Sequence, residues 1–237
     1  MPTSRDAVAA VADVEGWLTP AQATRLWERA AGLTAPARVV EIGSYRGRSA
    51  IVLAMAAPSG AEVIAIDPHA GNDRGPQQIE GTATEGELDN AAFRANLERT
   101  GVAERVHHVR RPSQDALAEL PGEVDLLYVD GAHRYGPARD DLARWGARVR
   151  PGGRMLVHDA FASIGVTLAI ARLLLAGRDF RYEGRTGSLA EYTRAPMTGG
   201  ARARNALRQL AQLGWFARNV AIKVLIVLRL RRGDWPY

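Results

Sequence analysis

Val39-Val-Glu-Ile-Gly43-Ser-Tyr-Arg-Gly47-Arg-Ser-Ala50 decides the architecture of this chain. Arg38 to Ile42 is a short, mostly apolar run between Pro36 and Gly43, the pattern of a buried strand, and Arg46 to Ala57 reads as the helix that follows. Gly43 suits the tight turn between them, Gly47 allows the backbone to approach a ligand closely, and the helix start presents free N–H groups. Outward from this unit the alternation continues. Strands are expected over 61–66, 105–109, 124–129 and 154–157, and helices over 89–100, 113–120, 137–149 and 165–175. Upstream, Thr19 and Pro20 open a capped helix running to Ala30. Strands alternating with helices at this spacing require crossover connections, hence a mainly parallel, doubly wound α/β sheet. Arg181-Tyr182 and Leu189 to Thr193, on either side of Gly184-Arg-Thr-Gly187, read as a terminal antiparallel hairpin. Residues 68–88 lack periodicity and read as a long loop, and 201–213 and 215–230 read as two helices around Gly214.

The 237 residues fit one large domain better than two. Cysteine is absent, which excludes disulfides, thiolate metal sites and cysteine nucleophiles. Asp6, Asp13 and Glu15 stand where the apolar core of a signal peptide would be, and no uninterrupted apolar run reaches the ~18–20 residues that span a bilayer. A cytoplasmic protein is expected. The net charge of +5 is uneven: residues 201–237 carry +7 and residues 1–200 carry −2. A body without a basic excess argues against nucleic acid as the partner.

Asp67 closes the second strand 24 residues after Gly43, where an acid can take both ribose hydroxyls of an adenosine. The loop is not the dinucleotide fingerprint, because Tyr45 stands where a second glycine would admit pyrophosphate. The bland alternative is the glycine turn of any α/β fold. Asp130, His158 and Asp159 fall at the C-terminal ends of the fourth and fifth strands, the edge where open α/β sheets bind ligands. Two hard carboxylates suit Mg²⁺, and His158 suits Mn²⁺ better, either as a ligand or by orienting Asp159. His133 titrates near neutrality and suits a general base; its bland reading is a cap on the following helix. Asp140 and Asp141 read as a solvated first helical turn, His107 and His108 as strand residues, and Trp17, Trp27 and Trp145 as packing. His69 is left open.

The stretches 39–50 (VVEIGSYRGRSA), IAIDPH from Ile64, VDLLYVDGAHRYGPARDDLARW from Val124 and RPGGRMLVHDAF from Arg150 together resemble class I S-adenosylmethionine-dependent methyltransferases. More narrowly they resemble the small bacterial branch of metal-dependent sugar and natural-product O-methyltransferases, with a weaker likeness to the actinobacterial methylmannose-polysaccharide O-methyltransferases. The resemblance spans about residues 14–195. It implies a Rossmann-like methyltransferase domain over 1–195 followed by a basic helical extension over 196–237. It also implies that Glu41, Gly43, Ser44, Tyr45, Gly47 and Ser49 surround the methionine moiety of S-adenosyl-L-methionine. Asp67 would take the ribose, and Ser113, Gln114 and Asp115 would sit beside the adenine. Asp130, which also borders the cofactor, would hold Mg²⁺ or Mn²⁺ with His158 and Asp159, and His133 would remove the acceptor proton.

The reading that results is a divalent-metal-assisted O-methyltransferase acting on a sugar or oligosaccharide hydroxyl. An aromatic or other natural-product hydroxyl is the alternative acceptor, and a silent nucleoside-binding or membrane-surface protein the alternative class. The polar residues of the 68–88 loop, Asn72, Gln77 and Gln78 among them, suit a hydroxyl-rich ligand. The basic tail suits either an anionic membrane surface or packing on its own domain or on a second subunit; the latter is preferred and points to a homodimer.

Overall fold

The computed structural model describes residues 2–71, 73–74, 79–228 and 230. Seven strands form one sheet: β1 (Ala37–Ile42), β2 (Ala61–Ile66), β3 (Val106–Val109), β4 (Val124–Val129), β5 (Val149–Val157), β6 (Phe180–Thr186) and β7 (Leu189–Arg194). Their order is β3-β2-β1-β4-β5-β7-β6, the first five parallel and β7 antiparallel to both its neighbours. The order reverses between β1 and β4, so the chain leaves these two strands toward opposite sides and opens a crevice at their C-terminal ends.

Alternation along the strands supplies two cores. Val40, Ile42, Ile64, Ile66, Leu127 and Val129 face one layer, with Trp145 and Val166. Val39, Val63, Ala65, Leu126 and Tyr128 face the other, with Leu26, Ile51 and Leu53. Full burial of such side chains stabilises by about 1.5–3 kcal/mol each, which is what commits these apolar runs to the sheet. Glu41 shares the parity of Val39 and is 0% exposed.

The helices are α1 (Ser4–Ala10), α2 (Pro20–Ala31), α3 (Arg48–Ala56), α4 (Ala83–Arg99), α5 (Ser113–Glu119), α6 (Tyr135–Arg144), α7 (Ile164–Ile170), α8 (Gly199–Leu210) and α9 (Leu213–Val227). Thr19 caps α2 as expected, its hydroxyl accepting from the Gln22 N–H at 3.3 Å. Several elements differ from the sequence reading. α1 was not expected; a reciprocal Thr3–Asp6 capping box starts it. α4 begins six residues earlier than expected, at a Thr82–Glu85 capping box inside the 68–88 stretch. β5 runs through Pro151-Gly152-Gly153, with a bulge between Val124 and Leu126 absorbing the mismatch. The hairpin turns at Gly187-Ser188, and Gly184 sits instead at a register shift within β6.

The C-terminal helices are part of this body. The Asn205 Oδ1 of α8 accepts from the backbone N–H of Tyr182 at 2.7 Å, and the Asn219 Nδ2 of α9 donates to the carbonyl of Phe161 at 3.1 Å. On β7, the buried Glu191 receives three guanidinium groups, from Arg25 (2.6 Å), Arg29 (2.7 Å) and Arg154.

Candidate active site

The crevice is built from the β1 turn. Gly43 has φ 86°, and a Cβ there would lie 2.1 Å from the Asp130 carbonyl oxygen, so the ends of β1 and β4 meet only because the residue is glycine. Gly47 (φ 90°) is the N-cap of α3, and its missing Cβ points at Phe93, 3.2 Å away. Its role is the left-handed conformation and that packing, in place of the close ligand approach expected of it. Asp67 clamps the turn: Oδ2 accepts from the N–H of Ser44 (2.9 Å) and Tyr45 (2.8 Å), and Oδ1 from the N–H of His69 (2.8 Å). His69 Nε2 donates to the Tyr45 carbonyl at 2.7 Å, so this residue holds the loop from behind.

Beneath the turn lies Glu41. Its oxygens make no well-aligned hydrogen bond, and the Ser49 and Ser44 hydroxyls are the donors nearest to them. Burial pushes the Glu41 carboxyl up to about 8, a shift that these two hydroxyls moderate. A buried acid without a cationic partner is costly to ionise unless a ligand supplies one.

In front of the turn is a cleft of about 310 Å³. Gly43, Ser44, Tyr45, Ser49, Asp67, Ser113, Gln114, Asp130 and His133 all line it; Glu41 and Gly47 stand behind. Its outer wall was not anticipated. Glu15, Trp17, Leu18 and Arg48 also line it. The Tyr45 hydroxyl donates to Glu15 at 2.9 Å, the Tyr45 and Trp17 rings lie 5.3 Å apart, and Arg48 Nη1 donates to the Val14 carbonyl at 2.9 Å. Trp17 is 48% exposed and presents its ring to the cleft, which corrects its assignment as a packing residue. Trp145 is buried as expected and donates from Nε1 to the Ser113 carbonyl at 3.1 Å.

Asp141 also departs from expectation. α6 begins at Tyr135, two residues before the expected start, so Asp141 lies in the second turn, buried and facing Ser113. The Ser113 hydroxyl donates to it, and burial raises its carboxyl to about 6. Asp140 instead pairs with Arg139. His108 is half-buried against Phe93, and burial, with His69 nearby, lowers it to about 4.

At the ends of β4 and β5 the expected catalytic and metal residues do converge. His133 Nε2 lies 3.1 Å from Asp159 Oδ2 and 3.8 Å from Asp130 Oδ1; His158 Nδ1 lies 3.2 Å from Asp130 Oδ1. The second Asp130 oxygen accepts from the Tyr128 hydroxyl at 2.8 Å. Burial alone would lower both imidazoles. Asp159 and Asp130 outweigh it at His133, which is raised, and Asp130 and Asp159 outweigh it at His158, which reaches about 9. Burial opposes ionisation of Asp130, yet His158 and His133 hold it well below the ordinary carboxylate range.

The cluster is therefore an alternation of carboxylates and imidazoles. Among the described residues no three His, Asp or Glu side chains are arranged to hold a metal ion. Asp130, His158 and Asp159 do not fit the divalent site expected of them, because the imidazoles of His133 and His158 stand between the acids where the cation would sit. Asp159 itself sits at φ 53° and Phe161 at φ 57°, a turn braced by Asn219 of α9.

A family model described as a methyltransferase domain matches residues 40–160, just over half of the chain and all of this cleft but its wall of residues 15–18. The catechol O-methyltransferase of Mycobacterium tuberculosis is 31% identical over 140 residues, covering 59% of this chain and 54% of its own. A 28% identical match, to the uncharacterised protein R132 of Acanthamoeba polyphaga mimivirus, covers 51% and 50%. The chain thus spans about half the length of the curated relatives it matches. Among solved structures, the O-methyltransferase TomG of Streptomyces achromogenes, in complex with S-adenosylmethionine, superposes with TM-score 0.55 at 22% identity, over 83% of this chain and 89% of that one. An O-methyltransferase from Bacillus cereus, in complex with S-adenosylhomocysteine, gives 0.58 at 18%, over 81% and 90%. At these identities the structural likeness speaks for the fold.

Proposed function

The chain belongs to the methyltransferase-domain family, and we propose that it transfers a methyl group from S-adenosylmethionine to a hydroxyl of a small molecule, with His133 as the general base. The observation that carries the reading is the buried Glu41, without a cationic partner among the described residues, behind the Gly43 turn of a cleft that Asp130 and His133 also line.

The donor set fits this cofactor. Glu41 and the Ser44 hydroxyl lack partners of the kind the methionine ammonium and carboxylate supply. Ser113 and Gln114 line the opposite wall, where adenine would lie. The Asp67 carboxylate is already engaged with three backbone N–H groups, so any ribose contact uses its one remaining acceptor direction, and its main work is to shape the loop. When bound, the cofactor supplies an electrophilic methyl on a sulfonium that leaves as a neutral thioether.

What remains for the protein is to hold the acceptor oxygen in line and take its proton. His133 Nε2 faces Asp159, which fixes the ring and stabilises the imidazolium once formed; Nδ1 is the nitrogen left to accept the proton. Asp130 and His158 keep Asp159 and His133 in register. No step is routed through a metal, because the residues present are paired with one another.

A sugar or glycan hydroxyl remains our reading of the acceptor. Its sequence support is the polar loop, of which Asn72 and residues 75–78 lie outside the described residues. The exposed Trp17 beside Tyr45 favours a second reading, a planar aromatic hydroxyl stacked at the cleft mouth. Transfer of labelled methyl from S-adenosylmethionine to panels of monosaccharides and of catechols separates the two. Labelling of neither panel, under conditions where S-adenosylhomocysteine binds, would refute both acceptor classes. We expect turnover to survive chelation of divalent ions within about twofold; its abolition by EDTA and rescue by Mg²⁺ would contradict the ion-paired cluster.

A further inference from the structure

We infer that the outward face of the C-terminal helix pair is a docking surface for an anionic lipid bilayer. The two helices bury amide side chains and expose apolar ones; of their apolar residues, Trp215, Phe216 and Ile222 pack inward. On α9, Asn219 and Ile222 are buried, whereas Leu213, Val224 and Leu228 are exposed (50%, 49% and 59%), with Ala217 and Ala221 on the same outward stripe. On α8, Asn205 and Gln209 are buried, whereas Leu207 is 64% exposed. The polar side chains face inward because they have work there: Asn205 bonds to Tyr182 and Phe180, Gln209 to Tyr192, and Asn219 to Phe161. The exposed apolar side chains face outward with nothing among the described residues covering them. A contiguous outward apolar stripe marks an interaction surface.

Charge selects the partner. From Ala195 to Gly233 the sequence holds no Asp or Glu; Arg204 and Arg218 are exposed on the described helices, whereas Arg202 and Arg208 reach back to the carbonyls of Ala176 and Glu183 and the half-buried Lys223 feels the charge of Asp159. A second copy docked through this face would bring Arg204 and Arg218 against their own copies with no acid on either helix, a repulsive arrangement. An anionic headgroup layer compensates the cations, and its acyl boundary accepts the leucines and valines. Gly199–Val227 is long and apolar enough to cross a membrane by length and composition. Crossing would tear Asn205, Gln209 and Asn219 from the sheet, so the surface lies on the bilayer. Through Asn219, on its inward side, α9 is tied to the turn that carries Asp159.

The test is flotation of the full chain with vesicles of phosphatidylcholine containing about 30 mol% phosphatidylglycerol, against pure phosphatidylcholine. We expect co-flotation with the anionic vesicles only, at least about tenfold weaker in 0.5 M salt. The substitutions Val224→Asp with Leu228→Asp, both at exposed positions, should lower partitioning at least about tenfold while leaving circular dichroism and Tm unchanged. Arg204→Ala with Arg218→Ala should lower it by a similar factor, about fivefold for each charge removed. Absence of flotation at low salt would overturn the inference, as would partitioning indifferent to both variants. Resistance of the bound chain to alkaline carbonate extraction would indicate a span instead. A dimer in sedimentation that Val224→Asp with Leu228→Asp dissociates would assign the face to a second copy.

Discussion

Cofactor binding should expel a proton from Glu41. This acid is fully buried, without a cationic partner among the described residues, and pushed up to about 8, so without ligand at pH 6 it is almost wholly neutral. An ammonium group brought against it favours the carboxylate. Two pH units below that value, ionising Glu41 costs about 2.7 kcal/mol, at about 1.36 kcal/mol per unit. The affinity for S-adenosylhomocysteine should therefore rise about 50-fold between pH 6 and pH 8. Calorimetric titration in two buffers of different ionisation enthalpy reads this directly, as close to one proton released per ligand at pH 6. The same group sets a stability trend of opposite sense. The folded protein holds the Glu41 proton more tightly than the unfolded chain, so the stability of the unliganded protein falls as pH rises from about 4.5 through about 8, by up to about 1.4 kcal/mol per unit. Glu41→Gln keeps the shape and removes the proton, so both slopes should flatten and affinity at pH 8 should drop at least about tenfold. A native affinity constant between pH 6 and 8, or an undiminished slope in Glu41→Gln, would refute the placement of the ammonium at this acid.

Three further outcomes follow from the geometry. His133→Ala should cut kcat by about 10²–10⁴-fold while S-adenosylhomocysteine affinity stays within about threefold; because both carboxylates raise His133, the acid limb of the native kcat profile should lie above the ordinary histidine value and vanish in the variant. Gly165→Ala would set a Cβ 2.2 Å from the His133 carbonyl oxygen, so it should cost about 1–3 kcal/mol in thermal unfolding and lower kcat more than it raises KM. Glu191→Gln would leave Arg25, Arg29 and Arg154 converging without a counter-charge, and a loss of about 3 kcal/mol in urea unfolding is expected, with the cleft unaffected.

The parts of this molecule legible in sequence are those in which a local pattern has one physical reading. The apolar runs ending at Ile42, Ile66, Val129 and Val157 can only be buried strands, and once they are parallel their C-terminal residues, Gly43, Asp67, Asp130 and His158, must share one edge. The seven strands and the grouping of His133 with Asp130 and Asp159 follow from that. Relations between distant segments are what stayed hidden. Trp17 follows a helix with no motif of its own, and only its docking on Tyr45 makes it part of the cleft. Asp141 shows no local sign of burial; its partner, the Ser113 hydroxyl, is brought by α5, a separate segment 28 residues away in the chain. The Thr82–Glu85 capping box was a usable signal for the early start of α4. Two acids near a histidine suggest a metal by composition alone, and only the placement of imidazole nitrogens between the carboxylates reveals pairing. In α8 and α9 the apolar periodicity was visible, but its direction depends on Asn205, Gln209 and Asn219 finding backbone partners far away in the chain.

The crystal structure of the full chain grown with S-adenosylhomocysteine tests the account most directly. It should show the homocysteine ammonium over Glu41 and Ser44, the adenine between Ser113 and Gln114, and the thioether sulfur turned toward His133. A nucleoside bound elsewhere, or a cleft closed by Trp17 and Tyr45 with Glu41 still without a cationic partner, would contradict it.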